Sequence, residues 1–262
     1  MLRYTSSSST RIKILICLSE GIQTMEELKK ETGITTSTIS NNLSNMEKKN
    51  ITSKVGEKYV LSPIGNIITC NLIENIKNAG VINKFQKFWL KHDLSSIPSE
   101  YIKKMGDLYN SSLVESESGA IYKPHETYSQ LLLKSKYVKG VSPILSSKFL
   151  KLFQNMIMKN DDITVELLLT QDVINQIIEG IDFEKLKYLN DSMSKGKVKL
   201  GVLDDDVKIG LTVTDKYLSL GLFHEYGEYD HTKDLISDDG DAVAWGNQLF
   251  EYYKTKSEKF GF

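Results

Sequence analysis

The sequence predicts an α+β protein with three parts: an N-terminal helical unit that ends in a β-hairpin, a helical linker, and a C-terminal α/β domain built on a mixed sheet. Two observations lead to this fold class. Apolar residues recur at helical spacing through the N-terminal part of the 262-residue chain. Further along, short apolar runs of strand character alternate with amphipathic helices, as in a domain built around one sheet. The predicted boundaries are 1–62, 63–110 and 111–262.

Signals for helix ends divide the first part into three helices. The first covers residues 10–20 and follows a serine-rich N-terminal arm that is predicted to be disordered. Thr24-Met25-Glu26-Glu27 has the form of a capping box, in which the Thr24 hydroxyl and the Glu27 carboxylate satisfy free backbone amides at the start of the second helix. Gly33 is suited to the left-handed residue that ends this helix.

The third helix, over residues 36–50, is followed by two short strands around Gly56-Glu57, and Ser62-Pro63 ends this hairpin. Three helices followed by a hairpin are the elements of a winged helix-turn-helix, in which the third helix enters the major groove of DNA. One stripe of this helix is apolar and faces the core; it consists of Ile39, Leu43 and Met46.

The remaining face of the third helix carries hydroxyl and amide side chains, which can read base edges. Asparagine pairs with adenine through two hydrogen bonds, and threonine contacts the methyl group of thymine. Lysines at the end of the helix and on the hairpin are placed to contact phosphates. The predicted DNA-binding residues are Thr36, Ser37, Thr38, Ser40, Asn41, Asn42, Asn45, Lys48, Lys54 and Lys58.

The charge distribution supports this interpretation. The whole chain has a net charge of −1, with 33 Lys and Arg against 34 Asp and Glu. Residues 1–92 contain 13 Lys and Arg and 7 Asp and Glu, a net charge of +6, whereas residues 93–262 contain 20 and 27, a net charge of −7. A basic N-terminal part joined to an acidic C-terminal part is typical of a DNA-contacting region linked to a second functional region.

The linker is predicted to be helical over 63–79, with an interruption at Gly80, and again over 81–93 and 98–109. Its wide apolar surface either forms a dimer interface or packs on the C-terminal domain. Dimerisation is favoured, because regulators that read two half-sites need a two-fold axis. In the C-terminal part, strands are predicted at 136–141, 163–169, 197–203, 207–213 and 217–223, and helices at 146–159, 171–178, 182–193 and 239–259.

Polar side chains at strand ends and in loops of the C-terminal part are candidates for a ligand site, because ligands of open α/β sheets bind at the carboxyl ends of strands. Ser142 and Thr170 each follow a predicted strand, and the others precede the last helix. The alternative is that Tyr229, Asp230 and Asp234, which precede the last helix, only hold the C-terminal tail in place. The predicted ligand-binding residues of this sensor domain are Ser142, Thr170, Tyr229, Asp230 and Asp234.

Several stretches of the chain resemble known regulators. Residues 10–62 resemble the winged helices of archaeal regulators related to the ArsR and MarR classes. Phe88-Trp89-Leu90-Lys91-His92-Asp93-Leu94, Lys139-Gly140-Val141-Ser142-Pro143 and the tail from Gly227 to Tyr253 resemble the FilR-type archaeal methanogenesis regulators. This resemblance implies a winged helix that binds promoter DNA and a C-terminal domain that receives a signal. The chain is therefore expected to be a transcriptional regulator and not an enzyme.

Two other functions remain open from the sequence. His231-Thr232-Lys233 with Asp238 fits the H-x-K-x4-D pattern of phospholipase-D-like phosphodiesterases. That chemistry needs a second histidine motif as general acid, and none of the other histidines has a lysine two residues on. The other alternative is a protein-binding scaffold, in which the winged helix contacts protein instead of DNA, because the third helix is poor in lysine.

No metal site or cofactor is predicted. Cys17 and Cys70 are each isolated on an apolar helix face, His92 is distant from both in sequence, and no Cys-x-Cys or His-x3-His spacing occurs. The sequence also lacks an apolar run long enough for a transmembrane helix and a secretory signal. We expect a cytoplasmic homodimer that binds double-stranded promoter DNA and a small-molecule effector or protein partner, without membrane association.

Overall fold

The computed structural model describes residues 2–144, 147–159, 163–180, 183–204 and 206–260. The chain divides into two compact units, Met1–Ala79 and Gly80–Phe262. Each unit contains helices and a β-sheet, so the predicted α+β class is confirmed. Among the described residues, no helix is long and apolar enough to cross a membrane.

After a short first helix, the N-terminal unit contains three longer helices followed by a hairpin, the order of a winged helix-turn-helix. Its elements are α1 (Leu2–Ser6), α2 (Ser9–Ser19), β1 (Gln23–Thr24), α3 (Met25–Thr32), α4 (Thr36–Glu47), β2 (Thr52–Val55), β3 (Lys58–Leu61) and the first part of α5 (Pro63–Lys84). Strands β2 and β3 form the hairpin, with Gly56 in its turn at a left-handed φ of 62°. The short strand β1 pairs with β3 to complete a three-stranded antiparallel sheet.

The boundaries of α3 follow from local sequence, as predicted. The Thr24 hydroxyl accepts a hydrogen bond from the Glu27 amide at 3.2 Å, and the Glu27 carboxylate accepts one from the Thr24 amide at 2.7 Å, so the capping box is confirmed. Gly33 takes the left-handed conformation, with φ 68°, and ends the helix. The short turn that follows places Thr35 at the N-cap of α4.

The core of the N-terminal unit is formed by apolar side chains from α2, α3, α4 and the hairpin. The predicted stripe of α4 is confirmed, because Ile39, Leu43 and Met46 are each at most 1% exposed. An apolar stripe that packs on a core leaves the opposite helix face in solvent. The stripe packs in one cluster with Ile14, Leu15, Leu18, Leu28, Ile51 and Leu61.

The predicted disorder of the N-terminal arm is wrong. Leu2–Ser6 forms α1, and the Ser8 hydroxyl, which accepts a hydrogen bond from the Arg11 amide at 3.4 Å, caps α2. The ring of Tyr4 gives this serine-rich segment a packing partner, because Arg11 Cζ lies 4.1 Å and Lys49 Nζ lies 4.9 Å from its centroid. A prediction of disorder from serine content does not take into account the packing that one aromatic residue provides.

The predicted helix break at Gly80 is also wrong, since α5 continues to Lys84. A β-carbon at position 80 would lie 2.6 Å from Cε2 of Tyr109. The glycine therefore makes room for that ring and does not end the helix. The next predicted helix, over 81–93, is correspondingly reduced to α6 (Gln86–Trp89).

The C-terminal unit is built on an eight-stranded sheet. After α6, its elements are α7 (Ser99–Ile102), a 3-10 helix (Met105–Leu108), β4 (Ser112–Glu115), α8 (Lys123–Leu132), β5 (Tyr137–Ser142), α9 (Ser147–Lys159), β6 (Thr164–Thr170), α10 (Gln171–Gly180), α11 (Phe183–Ser194), β7 (Val198–Leu203), β8 (Ile209–Thr214), β9 (Leu218–Leu222), β10 (Lys233–Ser237), α12 (Gly240–Lys256) and β11 (Glu258–Lys259). The predicted first residues of two helices, 146 and 182, lie outside the described residues.

The predicted mixed sheet is confirmed, with the strand order β11-β7-β6-β5-β8-β9-β10-β4. Strands β5, β6 and β7 are parallel, and the remaining pairs are antiparallel. Sequence patterns did not predict β4, α8 or β10. As a result Asp234, which was expected in a loop before the last helix, lies within β10 and is buried. A short strand that begins with charged residues lacks the alternation by which strands are identified.

Helix α12 covers one face of this sheet. Asp239 caps it, because a carboxylate oxygen of Asp239 accepts a hydrogen bond from the Asp241 amide at 2.9 Å. Trp245 and Phe250 on α12 are at most 1% exposed in the main core cluster. A β-carbon at Gly246 would lie 2.5 Å from Cδ1 of Leu218, so this glycine allows the helix to approach β9 closely. On the opposite face, side chains of α8, α9, α10 and α11 pack against β5, β6 and β7.

Candidate functional site

Helix α4 presents its polar face to solvent. All the predicted DNA-binding residues lie at the surface of the N-terminal unit: Asn42 is partly buried, and the exposed residues are Thr36, Ser37, Thr38, Ser40, Asn41, Asn45, Lys48, Lys54 and Lys58. The first turn of α4 contains no acidic residue. The positive end of the helix dipole is therefore not offset there by a local negative charge.

Hydrogen bonds distinguish the two neighbouring asparagines of α4. The Asn42 side chain donates from Nδ2 to the Thr38 carbonyl oxygen at 2.8 Å, one turn back on the same helix. The Thr38 hydroxyl in turn accepts a hydrogen bond from the Thr35 hydroxyl at 2.9 Å. Asn41 lies on the exposed side. A base contact by Asn42 would compete with its bond to the helix, so Asn41 is the better placed of the two.

The C-terminal unit contains a cavity of about 420 Å³ on the sheet face opposite α12. Side chains of a strand alternate between the two faces. On β9, Leu218 and Leu220 belong to the core under α12, whereas Ser219 between them lines the cavity. The cavity lies over β5 and β8, where the parallel part of the sheet meets the antiparallel part. Cavities of this size at such a position are typical of small-molecule sites.

Two hydrogen-bonded pairs of side chains are among the polar groups that line the cavity. The Tyr128 and Thr212 hydroxyl oxygens are 3.0 Å apart, and the Ser219 hydroxyl donates to Asp234 Oδ2 at 2.7 Å. Burial raises the pKa of Asp234 to about 7, against the hydrogen bond from Ser219, which acts to lower it. Asp234 is therefore largely protonated below neutral pH and can then act as a hydrogen-bond donor.

Tyr229 crosses the cavity floor above two glycines. Gly210 on β8 and Gly221 on β9 are directly paired, and a β-carbon at position 221 would lie 1.8 Å from the Tyr229 hydroxyl oxygen. Burial holds the pKa of Tyr229 well above its ordinary value, so this hydroxyl stays neutral. The ring also packs edge-on against His231, with centroids 4.9 Å apart. The absence of two side chains thus creates the space that Tyr229 occupies.

The cavity brings together most of the predicted ligand-binding residues. Ser142, Tyr229, Asp230 and Asp234 all line it. Thr170 is the exception: Leu167 and Leu169 of β6 line the cavity, and strand alternation places Thr170, which is buried, on the other face. Cavity residues that the sequence interpretation missed are Tyr128, Lys148, Phe149, Thr212 and Ser219. Three of these, on α8, β8 and β9, follow no motif, and only the sheet order places them together.

The residues of the H-x-K-x4-D pattern do not form one site. His231 and Lys233 line the cavity, whereas Asp238 is exposed and is not among the described residues of the cavity wall. Lys233 also forms an ion pair with Glu115 of β4. Because its charge is already matched by a carboxylate, Lys233 is poorly placed to bind a phosphodiester oxygen.

The cysteines contribute no candidate metal centre. Cys17 is buried and Cys70 is exposed, and both are free thiols. Burial is the main cause that raises the pKa of the Cys17 thiol, which makes it less reactive. In the described part of the chain, three other side chains with ligand atoms within 4.8 Å of one another are His92, His224 and Asp230.

The structure thus defines a protein of two units: a helical unit that ends in a hairpin and has an exposed polar face on α4, followed by an α/β unit with a ligand-sized cavity. Comparison with known proteins gives the particular family. Residues 1–78 match the family model "Methanogenesis regulatory protein FilR1, N-terminal domain", and residues 121–256 match that of its middle domain. The chain belongs to the FilR1 family, as its sequence resemblance implied.

One curated relative is similar along almost the whole chain. It is the methanogenesis regulatory protein FilR1 of Methanothrix harundinacea strain 6Ac, 30% identical over 259 residues. The alignment covers 97% of this chain and 56% of the relative, so the chain spans about half the length of that protein. The expectation of a regulator and not an enzyme agrees with this relationship.

Two solved structures show weaker similarity. TrmBL2, an archaeal chromatin protein, aligns with a TM-score of 0.44 and 17% identity over 99% of this chain and 97% of its own. The phosphatidylserine synthase of Haemophilus influenzae Rd KW20 aligns with a TM-score of 0.39 and 13% identity over 57% of this chain and 40% of its own.

Proposed function

We propose that this protein is a transcription regulator that binds duplex DNA through α4 and the β2–β3 hairpin. The observation that carries the proposal is the division of α4 into a buried apolar stripe and an exposed face of hydroxyl and amide side chains. Membership of the FilR1 family supports control of methanogenesis genes as the biological role. The net charge of +6 in residues 1–92 supports attraction to DNA.

In this proposal, α4 enters the major groove and the lysines contact the backbone. Asn41 and Asn45 contact base edges, and the hydroxyls of the N-terminal turns contact bases or phosphates. Lys48 at the end of α4 and the hairpin lysines, Lys54 and Lys58, contact phosphates. Glu57 competes only weakly with a phosphate for Lys54, because its carboxylate is 4.0 Å from the Lys54 ammonium group and its side chain is 96% exposed.

Replacing Asn41 tests the base contact. After selection of a preferred duplex from random sequences with the full chain, fluorescence anisotropy in competition with mismatched duplexes measures specificity. We expect Asn41→Ala to reduce discrimination by about 1–3 kcal/mol, because a bidentate contact to adenine is lost. Asn42→Ala should cost less, since its amide is already bonded to Thr38.

The matched control is Asn247→Ala. Asn247 is a partly buried asparagine on α12, outside the N-terminal unit, whose amide bonds one turn back to the Val243 carbonyl oxygen, as that of Asn42 does on α4. Equal discrimination by the Asn41→Ala and Asn247→Ala proteins would contradict the assignment of α4. If the chain selects no duplex at all, the winged helix is better explained as a protein-binding scaffold.

Salt dependence tests the phosphate contacts. Each contact contributes about 0.9 to the slope of log K against log salt concentration. We expect Lys58→Ala to weaken binding to all duplexes alike and to reduce the slope by about this amount. An exposed lysine of the C-terminal unit, tested as Lys216→Ala, should leave the slope unchanged. Loss of sequence preference in the Lys58→Ala protein would mean that this residue reads bases instead.

We further propose that the cavity of the C-terminal unit binds a small-molecule effector. Its apolar wall with a few polar groups is the usual composition of such sites. Ser142, Tyr229, Asp230 and Asp234 are the proposed ligand-binding residues, joined by Tyr128 and Thr212. Thr170 is left out because it lies on the other face of β6. The neutral hydroxyls and the protonatable Asp234 favour an uncharged ligand with hydrogen-bonding groups.

The effector proposal is tested by what the protein retains from cells. Full-length chain, purified natively and then denatured, should release a small molecule detectable by mass spectrometry. Ser142→Phe, which fills part of the cavity, should release at least about tenfold less, as expected when a bulky side chain costs more than 1.4 kcal/mol of binding. The control is Thr170→Val, because Thr170 lies on β6 and on the face of the sheet that points away from the cavity. Equal release by both variants would exclude the cavity as the site.

The expected homodimer is proposed to form through α5. Ile64, Ile67 and Ile76 on this helix are exposed, at 49%, 66% and 41%, an unusual concentration of apolar surface on one helix. A two-fold axis there would supply two copies of α4 for two half-sites. A monomer in sedimentation equilibrium at micromolar concentration would contradict this arrangement.

A further inference from the structure

Three side chains with metal-binding chemistry meet in the C-terminal unit, beside the cavity. His92 follows α6, and His224 and Asp230 belong to the loop between β9 and β10. His92 Nε2 lies 3.1 Å and His224 Nε2 lies 3.7 Å from the same oxygen, Asp230 Oδ2. The His92 and Asp230 side chains are almost fully buried, whereas His224 retains 22% exposure. We call this group the His92 cluster.

The backbone determines which ring nitrogen of each histidine carries the hydrogen. His92 Nδ1 lies 2.6 Å from the Phe88 carbonyl oxygen, and His224 Nδ1 lies 3.3 Å from the Lys91 carbonyl oxygen. A carbonyl oxygen only accepts hydrogen bonds, so each Nδ1 is the donor. In a neutral imidazole the other nitrogen, Nε2, then carries a lone pair. Both lone pairs face one carboxylate oxygen, which is also an acceptor.

Three acceptor atoms in such proximity need a positive group between them. One proton, on His92, would satisfy one Nε2 and leave the Nε2 of His224 facing the carboxylate. Protons on both rings would place like charges in two stacked rings whose centroids are 4.9 Å apart. A single divalent cation satisfies all three atoms at once.

We propose that His92, His224 and Asp230 bind a divalent transition-metal ion of the zinc class. Ligand atoms in a tetrahedral zinc site are about 3.3 Å apart, given metal–ligand bonds of about 2.0–2.1 Å. The two distances to Asp230 Oδ2 lie on either side of this value, and all three ligand atoms are within 4.8 Å of one another. Imidazole nitrogen favours Zn²⁺, Cu²⁺ or Ni²⁺ over Mg²⁺ and Ca²⁺. Three protein ligands leave a fourth position for water or another ligand.

The groups around the His92 cluster have the arrangement that orients ligands in metal sites. In such sites the second ring nitrogen of a ligating histidine donates to a carbonyl or carboxylate, as both histidines do here. The other oxygen of Asp230, Oδ1, accepts hydrogen bonds from the Thr232 amide at 2.8 Å and the Thr232 hydroxyl at 2.5 Å. These bonds leave Oδ2 directed at the two histidines.

The metal would hold together segments that are remote in sequence. His92 and His224 already form a backbone bridge, and the Asp93 amide donates to the Phe223 carbonyl oxygen at 2.8 Å. Asp230 also lines the effector cavity. A bound ion would therefore connect the segment after α6 with the wall of the cavity. This proposal does not depend on DNA binding or on an effector.

Cobalt binding to the tag-free full-length chain tests the proposal. After treatment with a chelator and its removal, Co²⁺ should bind at one equivalent and give the intense visible absorption of a tetrahedral site with nitrogen and oxygen ligands. Zn²⁺ at about 100 times its dissociation constant should raise the unfolding midpoint by roughly 5 °C or more, and Mg²⁺ should not. Tryptophan fluorescence reports this unfolding, because both tryptophans, Trp89 and Trp245, lie in the C-terminal unit.

A matched pair of variants locates the metal. His224→Gln should lose the cobalt spectrum and the zinc-induced shift, and the partial exposure of His224 lets glutamine be accommodated. His231→Gln, a nearby histidine outside the cluster, should retain both. An unchanged cobalt affinity in the His224→Gln protein would overturn the proposal. The proposal would also be overturned if the wild-type chain showed neither cobalt absorption nor a zinc-induced shift in its unfolding midpoint. That result would indicate that a proton, and not a metal ion, bridges Asp230 and a histidine.

Discussion

Replacing Asp234 with asparagine is expected to make the C-terminal unit more stable at pH 8 and to leave it nearly unchanged at pH 4. Burial raises the pKa of Asp234 from 3.8 to about 7 in the folded protein. Between these values the unfolded chain has lost the proton and the folded chain has kept it, so stability falls as pH rises, by about 1.4 kcal/mol per unit. Over the whole window this contribution amounts to about 4 kcal/mol.

The asparagine variant removes this titration while keeping the hydrogen bond, because an amide oxygen can accept from Ser219. We expect its advantage over wild type to grow from pH 4 to pH 7 and then to level off. Urea unfolding followed by tryptophan fluorescence at several pH values measures it. The control is Asp238→Asn, an exposed carboxylate on the same segment. Parallel pH profiles for wild type and Asp234→Asn would show that Asp234 ionises normally.

This buried carboxylate also has a functional consequence. Near neutral pH, Asp234 is close to its midpoint, so a ligand that accepts a hydrogen bond would favour the protonated form and a cationic ligand the ionised form. The nearby Tyr128 and Tyr229 hydroxyls remain neutral, because burial raises the pKa of both. The affinity of the proposed effector should therefore change with pH through Asp234 alone among these three groups.

Features of the fold that depend on neighbouring residues could be predicted from the sequence. The capping box of Thr24 and Glu27, the left-handed Gly33 and the stripe of α4 all follow from spacings within one helix or turn. The basic N-terminal part and the alternation of strands and helices likewise need only local patterns. Gly80 shows the limit of this approach, because a glycine that ends a helix and one that admits a tyrosine ring are identical in sequence.

The candidate sites of the C-terminal unit depend instead on strand order. Asp234 and Ser219 meet because β9 and β10 are neighbours, and β10 was not predicted at all. His92 and His224 meet because the segment after α6 lies against the end of β9, whereas ligand motifs are sought at short spacings. The prediction for Thr170 reached the correct strand but the wrong face, since one residue along a strand reverses the direction of the side chain.

Replacing Leu43 with alanine is expected to destabilise the N-terminal unit by about 2–5 kcal/mol, the range for truncating a fully buried leucine. Leu43 is 1% exposed at the centre of the α4 stripe, between Ile39 and Met46. Alanine favours helix, so the loss measures packing and not helix propensity. Circular dichroism during urea unfolding should show an earlier transition for this unit, while tryptophan fluorescence, which reports the C-terminal unit, should be unchanged.

The same substitution connects packing with the proposed recognition of DNA. The polar face of α4 keeps its orientation only while the opposite stripe remains packed, so DNA affinity should fall in parallel with the folded fraction of the N-terminal unit. Ser44→Ala, at the adjacent exposed position, should change neither property by more than about 0.5 kcal/mol. If Leu43→Ala instead lowered the tryptophan transition, the two units would unfold as one, and the stability of α4 would be set by contacts beyond its own core.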